Sequence, residues 1–452
     1  MKHGSGKLYD TIVLGAGASG LWCAAKAAQY GKAVLILDRA AKPGIKLTLS
    51  GGGKCNLTNR DISPRFYYGN NPDFCRSALS RLRPEELLLL LDKAGIAWEE
   101  REHGQLFCLR SAKDVRTLLV RQCEAAGCVF YLDEHITEVR ALTGNMYGET
   151  PAAGMESQKN PASCIHESET AGGTIVTAEP PSAASRFLIR TVNAQFFSRN
   201  LVVATGGPAW PQCGASGFGY EIARSFGHRI LPIRPALTGL CMPDSWAFAG
   251  LSGISLPASI TVAPKPPDSP SHELRQKPVQ AAHALPLLFT HNGISGPAAL
   301  QASLYWTAHR PLVIDFLPDQ SILELLNEPG SGKLLCRNLL KRHFPERLCA
   351  AIIPTSVGNK KTAELNKNER QVMAKAVHAH TVVPVGTEGF AKAEVTAGGI
   401  DTAEVSSKTM ESKRQAGLFF CGEVLDVTGR LGGYNLHWAF ASGNAAGEYL
   451  SK

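Results

Sequence analysis

Six residues constrain this chain more than any others. Gly15-Ala16-Gly17-Ala18-Ser19-Gly20 follows the apolar, β-branched run Tyr9–Leu14 and opens the Ala-rich stretch Ser19–Tyr30, whose apolar spacing suits a helix. A second short apolar run, Ala33–Leu37, closes on Asp38. Continuous apolar runs of this length belong in a parallel sheet buried on both faces, so the segment predicts a β-α-β unit. In that context the first glycine permits a tight turn. The second lets a pyrophosphate approach the backbone, and the third lets helix and strand pack closely. The positive helix end and its unbonded N–H groups favour phosphate, and Asp38 stands where a carboxylate would accept hydrogen bonds from an adenosine ribose.

At 452 residues the chain exceeds one hydrophobic core, which predicts two or three domains. Helices are expected at Pro84–Ala94 and Ala112–Ala126, and strands at Val129–Val139, Phe187–Val192 and Asn200–Ala204. Gln320–His380 reads as mostly helical, broken by a loop at Pro354–Lys361, and Gly417–Lys452 returns to a buried strand, a Gly-rich turn and an Ala-rich helix. Two stretches, Ala141–Ser185 and Pro264–His283, are polar and aperiodic and are expected to be surface insertions, the first largely flexible. The expected architecture is α/β. A discontinuous Rossmann-like nucleotide-binding domain spans 1–235 and 394–452, and a β-rich domain spans 236–319 with a return at 381–393. A helical domain occupies 320–380.

Composition removes several function classes. The 47 basic and 39 acidic residues leave a net charge of +8, mild for this length, and no sustained Lys/Arg run carries interleaved aromatics. Nucleic acid is therefore not expected as a partner. No stretch reaches the roughly 18 apolar residues of a membrane span, and the first ten residues lack an apolar signal core, so a cytoplasmic protein is expected. Twelve cysteines without a CxxC pair suggest reduced thiols rather than a zinc ribbon or a thioredoxin-type centre, and no metal is expected.

Gly422-Glu423, after the apolar run Gly417–Cys421, is a second acidic turn that suits the ribitol and inner phosphate of a flavin; a lone NAD site would not need it. Lys42–Lys46 and Ser50-Gly51-Gly52-Gly53-Lys54-Cys55-Asn56 bracket three glycines with lysines and an asparagine, a loop able to line a pyrophosphate or a flavin ring. Cys55 has no x4 partner, which reads it as a small buried residue; Cys123 and Cys128 have the spacing but straddle a helix end and the next strand. His291, flanked by turn residues, reads as a general acid or a hydrogen-bond partner of a cofactor, and equally as a structural helix cap. Tyr434, Asn435 and His437 follow Gly432-Gly433 at the start of the last helix, where N–H groups could face a flavin's carbonyl edge.

Together these segments resemble the YhiN/BaiN-like flavoproteins, labelled NAD(P)/FAD-dependent oxidoreductases or, loosely, aminoacetone oxidases. The resemblance rests on GAGASG, KPGIKLTLSGGGKCNLTN, VVATGG at Val202–Gly207 and FTHNGISGPAAL from Phe289. VTAGGI at Val395–Ile400, KTMESK at Lys408–Lys413 and GLFFCGEVLDVTGRLGGYNLHWAFASG from Gly417 complete it. It implies an FAD domain like those of fumarate-reductase and glutathione-reductase-like flavoproteins, with a β-barrel-like domain and a small helical domain. Non-covalent FAD would meet Gly15, Gly17, Ser19 and Gly20 at the pyrophosphate, with Ala18 in the same loop. Asp38 would meet the ribose and Ile136 the adenine, with Arg39 nearby. Lys46, Gly52, Gly53 and Asn56 would line the phosphate and flavin side, and Glu423 the ribitol, with Gly206 and Gly422 adjoining. Gly433, Asn435 and Leu436 would approach the ring.

The chain departs from the family pattern twice. Gly104-Gln105-Leu106-Phe107-Cys108 stands for the usual G-R-x-F-P, and His437 stands for the usual glutamine; both departures are expected to alter the substrate cavity. The expected reaction is hydride transfer through flavin N5 to a small, enone-like organic substrate. Thr290, His291 and Tyr434 are the candidate proton donors. Only one G-x-G-x-x-G opens a helix after a strand, so no dedicated nicotinamide domain is expected, and either NAD(P)H visits the flavin transiently or another donor is used. The alternatives are a flavin amine oxidase using oxygen, and a non-catalytic or RNA-associated flavoprotein.

Overall fold

The computed structural model describes residues 7–142, 185–265 and 277–452. Most of the two expected insertions therefore lies outside the described residues, but residues 279–283 of the second begin the strand Val279–Phe289, paired with Ser255–Val262, and are not a surface loop. The chain divides into two units, one bounded by residues 1–234 and 395–452, the other by 235–394.

The first unit is built on β1 (Leu8–Leu14), α1 (Ala18–Ala27) and β2 (Val34–Leu37). Every residue of β2 is buried, as are the last four of β1, which is why these strands carry no polar face. β1 pairs in parallel with β2 on one side and with the strand Gln195–Val203 on the other, so that Leu37, Leu14 and Val203 lie level. Val129–Tyr131 extends the sheet beyond β2, and Leu418–Phe420 joins the far half of Gln195–Val203, both in parallel. The near half of that long strand pairs instead with Phe187–Thr191, antiparallel, followed by Ile136–Ala141.

The C-terminal helix, Tyr434–Leu450, packs on α1 with almost no side chain between the two. A Cβ on Gly443 would lie 2.5 Å from the Ser19 carbonyl oxygen, and one on Gly447 would lie 2.7 Å from that of Cys23. Trp22 locks the pair by packing its ring, tilted, against Phe440 at 5.1 Å and donating its indole N–H to Asn444 Oδ1 at 3.2 Å. The helix that closes the chain is thus fastened to the helix behind the glycine loop.

The second unit is an antiparallel sheet whose strands run in the spatial order 380–382, 312–315, 255–262, 279–289, 293–295, 240–241, 386–387. Its two edge strands, His380–Val382 and Gly386–Thr387, are separated in sequence by residues 383–385 alone. So short a connection spans about 14 Å at most, whereas six flat inter-strand steps would need about 29 Å. The sheet is therefore rolled. Short helices fill the chain between Leu312–Asp315 and His380–Val382, including Thr355–Gly358 where a plain loop was expected.

Candidate cofactor site

The three loop glycines have different tasks. Gly15 has φ +105°, and a Cβ there would lie 2.5 Å from the Ala204 carbonyl oxygen; one on Gly20 would lie 1.9 Å from the Gly15 carbonyl oxygen. These two glycines let backbone touch backbone. A Cβ on Gly17 would meet no atom within 4 Å, so its bare face is turned to open space. Gly17 is the N-cap of α1 and offers no side-chain cap, which leaves the first-turn N–H groups free to meet an anion.

Asp38 does more than wait for a ribose. Its Oδ2 accepts the Ala16 N–H at 2.6 Å and its Oδ1 the Ala40 N–H at 2.7 Å, so the carboxylate braces the glycine loop against the end of β2. Burial pushes its carboxyl above the usual range, while the N–H donors of Ala40 and Ala16 and the Arg39 charge draw it back. Arg39 is exposed and lies alongside Gly214. Ile136 opens the strand that follows Val129–Tyr131, partly buried against the same core.

The Ser50–Gly53 turn holds Gly51, Gly52 and Gly53 at φ values of +57°, +66° and +86°. Gly51 is packed, its would-be Cβ 2.7 Å from Asn56 N, but Gly52 and Gly53 again face open space. Cys55 also has a positive φ and is fully buried, and burial pushes its thiol up to about 12. Asn56 begins β3 (Asn56–Asn59) and donates to Gln105 Oε1 at 3.1 Å; its Oδ1 is buried with no hydrogen-bond partner. A Cβ on Gly433 would lie 2.3 Å from the Thr58 carbonyl oxygen and 2.8 Å from Asn56 Oδ1, which brings the start of the C-terminal helix onto β3. Gln105, one of the two departures, therefore stands at this junction.

Glu423 joins the distant segments. Its Oε2 meets Lys46 Nζ at 2.7 Å, its Oε1 accepts the Thr396 N–H at 2.8 Å, and it lies 4.0 Å from the Cβ position of Gly206. Gly422 presses on Ser19, with only 2.5 Å from its would-be Cβ to the hydroxyl, and its N–H donates to Ser442 Oγ at 2.9 Å. Thr396 and Tyr220 were not singled out from sequence. Gly207 packs against both, and burial beside Glu423 and Asp426 raises the Tyr220 phenol. Thr396 carries no signal beyond its place in VTAGGI.

Three expectations change. The Asn435 amide accepts the Gly429 N–H and donates to the carbonyls of Gly429 and Arg430, so both of its side-chain hydrogens are taken by the turn before the helix. His437 does not line a cavity: it is fully buried, its Nδ1 2.8 Å from Thr58 Oγ1 and its Nε2 2.9 Å from the Leu82 carbonyl oxygen. His291 does not cap the helix Gly296–Ser303, whose N-cap is Ser295. It is exposed at the turn between the strands Val279–Phe289 and Gly293–Ser295, with Thr290 beside it. Both belong to the second unit, whereas Tyr434 belongs to the first. Tyr434 packs edge-on to Phe66 and Tyr67, and burial pushes its phenol up to about 12. Leu436 is partly buried in the same core. Among the described residues no three His, Cys, Asp or Glu side chains gather as a metal ion would require, and no helix is long and apolar enough to cross a membrane.

The sequence profile described as the HI0933-like protein Rossmann domain matches residues 9–159 and 170–449. A ribosomal RNA dihydrouridine synthase of Haemophilus influenzae is 35% identical, and one of Escherichia coli 37% identical, each over 98% of both chains. A 3-dehydro-bile acid delta(4,6)-reductase of Clostridium scindens is 29% identical over 96% of this chain and 97% of its own. The expectation that nucleic acid plays no part is overturned by the first two, whose names place ribosomal RNA where a small molecule was expected. That expectation rested on the lack of a basic run, a test that a charge gathered only by folding escapes. Glycine loop, second acidic turn and full-length identity agree: the chain belongs to the HI0933-like family of Rossmann-fold flavoprotein oxidoreductases.

Proposed function

We propose that this protein is an FAD-dependent reductase of uridine in ribosomal RNA, with NAD(P)H as its transient reductant. The observation that carries the substrate class is the identity of 35% and 37%, end to end, to two ribosomal RNA dihydrouridine synthases. The chemistry is that of an activated double bond. The C5=C6 bond of uracil is conjugated to the C4 carbonyl, so C6 accepts hydride as the β-carbon of an enone does, and C5 takes a proton.

FAD suits the residues present. The open faces of Gly17, Gly52 and Gly53, the free first turn of α1 and the partnerless Asn56 Oδ1 together offer an extended polar track. Gly15, Gly17, Ala18, Ser19 and Gly20 would hold the pyrophosphate. Asp38 would use its remaining lone pairs on the ribose, with Arg39 and Ile136 at the adenosine end. Lys46, Gly206, Gly422 and Glu423 would meet the ribityl and inner phosphate, and Asn56, Gly433, Leu436 and the Asn435 backbone the ring. When bound, FAD supplies the hydride. The protein must orient the base, exclude water and hold a proton, for which Tyr434, Thr290 and His291 are the groups to test.

Ribosomal RNA lacking dihydrouridine, incubated with the yellow protein and NADH or NADPH, should gain dihydrouridine by nucleoside mass spectrometry. Protein that is bleached by NAD(P)H and reduces small enones, yet never forms dihydrouridine, would sink the RNA reading. A folded protein indifferent to FAD would sink the flavin reading as well.

A further inference from the structure

The net charge of this chain is concentrated. Between residues 331 and 375 stand ten Lys and Arg against three Asp and Glu, so 45 residues carry seven of the eight net positive charges. In sequence the cations fall into separate groups. The second unit's fold joins the first to a later one. Leu335 bridges Lys361 in antiparallel fashion, the Cys336 N–H donates to the Lys360 carbonyl at 2.9 Å, and the Thr362 N–H donates to the Leu334 carbonyl at 2.9 Å. The Arg337 Cβ lies 3.8 Å from the Cβ position of Gly358. Lys333, Arg337, Lys360 and Lys361 are thereby set on one short ladder.

The carboxylates of this region are already engaged. Glu346 pairs with Lys341, Glu369 pairs with Lys360, and Glu364 accepts the Lys361 backbone N–H at 3.1 Å. Lys333, Arg337 and Lys361 are exposed and make no ion pair among the described residues. Three exposed cations outside any ion pair among the described residues, held on a fixed backbone in a segment of strongly positive net charge, suit a polyanion. Resting on the function proposed above, we propose that this ladder is a docking face for the phosphate backbone of ribosomal RNA, centred on Lys333, Arg337 and Lys361.

Each cation that neutralises a phosphate releases counterions, which makes the salt dependence of binding a count of contacts. The test is equilibrium binding of deproteinised ribosomal RNA to the flavin-loaded full chain across a salt series. The variant Lys333→Gln/Arg337→Gln/Lys361→Gln should bind at least ten-fold more weakly at near-physiological salt. Its slope of log affinity on log salt should be shallower by about 2, and each single variant's by about 0.7. Lys333→Arg/Lys361→Arg should keep affinity and slope, and all variants should retain flavin and its bleaching by NAD(P)H. Unchanged affinity and slope in the triple variant, with wild-type protein still forming dihydrouridine, overturns the docking face alone. Loss of polyglutamate binding while RNA binding stands also overturns it, in favour of an acidic protein partner. Wild-type protein that neither binds the RNA nor forms dihydrouridine overturns the function itself.

Discussion

His437 replaces a glutamine usual in the family, and its surroundings explain the exchange. The Leu82 carbonyl can only accept, so Nε2 carries the hydrogen and Nδ1 accepts from the Thr58 hydroxyl. A glutamine offers one donor and one acceptor in the same way. Burial pushes the imidazole from its ordinary 6.5 down to about 4, so between those values the unfolded chain binds a proton that the native protein refuses. Stability then rises with pH across this window, and acidification through it removes about 3 kcal/mol. The melting temperature of wild-type protein should fall between pH 6.5 and 4.5, and His437→Gln should flatten that fall; parallel curves would show that His437 is not the titrating group. Cys55 is the second case. With its thiol pushed up to about 12 it stays protonated at neutral pH. Of the cysteines among the described residues, iodoacetamide should label the partly exposed Cys213 and Cys241 before Cys55, and Cys55→Ser should leave turnover within a few-fold. A long-wavelength charge-transfer band that vanishes in Cys55→Ser would reverse this assignment.

At the scale of elements, the glycine loop separates folding from binding. Gly17→Ala places its methyl in open space at φ −80°, which alanine adopts freely. The apoprotein should melt as wild type does, while FAD affinity falls at least ten-fold. Gly20→Ala drives a methyl to 1.9 Å from the Gly15 carbonyl oxygen and should prevent soluble folding. Equal melting temperatures for the two variants would show that the loop is looser than its packing implies. Asp38, at the end of β2, braces the same loop. Asp38→Ala orphans the Ala16 and Ala40 N–H groups as well as any ribose contact, at about 1–3 kcal/mol per buried group. Loss of FAD without loss of stability, which the sequence alone would suggest, is therefore not expected; matching unfolding curves would restore the simpler reading.

For the whole molecule, the path of the chain matters more than any one contact. Strands Ile230–Ala236 and Val395–Ile400 pair with each other, and the Glu394 N–H donates to the Leu237 carbonyl at 3.2 Å, so the chain leaves the first unit and returns to it at one place. Replacing residues 238–393 by a short Gly-Ser bridge should leave a folded protein that still takes up FAD. The same protein should lose the steep salt dependence of RNA binding, since the basic segment lies wholly in the excised part. An insoluble product would show that the first unit depends on the second for its core.

Sequence by itself determined the strand, loop and helix around Gly15–Gly20, because turn, helix start and buried strand are local consequences of residue type and spacing within thirty residues. It also marked Gly52, Gly53, Asn56, Glu423 and Gly433 as positions of interest, since glycines beside polar groups stand out in any run of residues. Only the tertiary structure decided what each does. Glu423 meets Lys46 across 377 positions, and Asp38 spends one oxygen on the glycine loop and the other on its own turn. Both side-chain hydrogens of Asn435 go to Gly429 and Arg430, and Thr396 enters through its N–H to Glu423 and Tyr220 through packing. The basic ladder was illegible for the same reason: Lys333 and Lys361 are 28 residues apart in the chain and become neighbours through three backbone pairings. Spacing reveals what a few bonds' length of chain can do, whereas burial and charge proximity depend on which distant segments the fold brings to the same place.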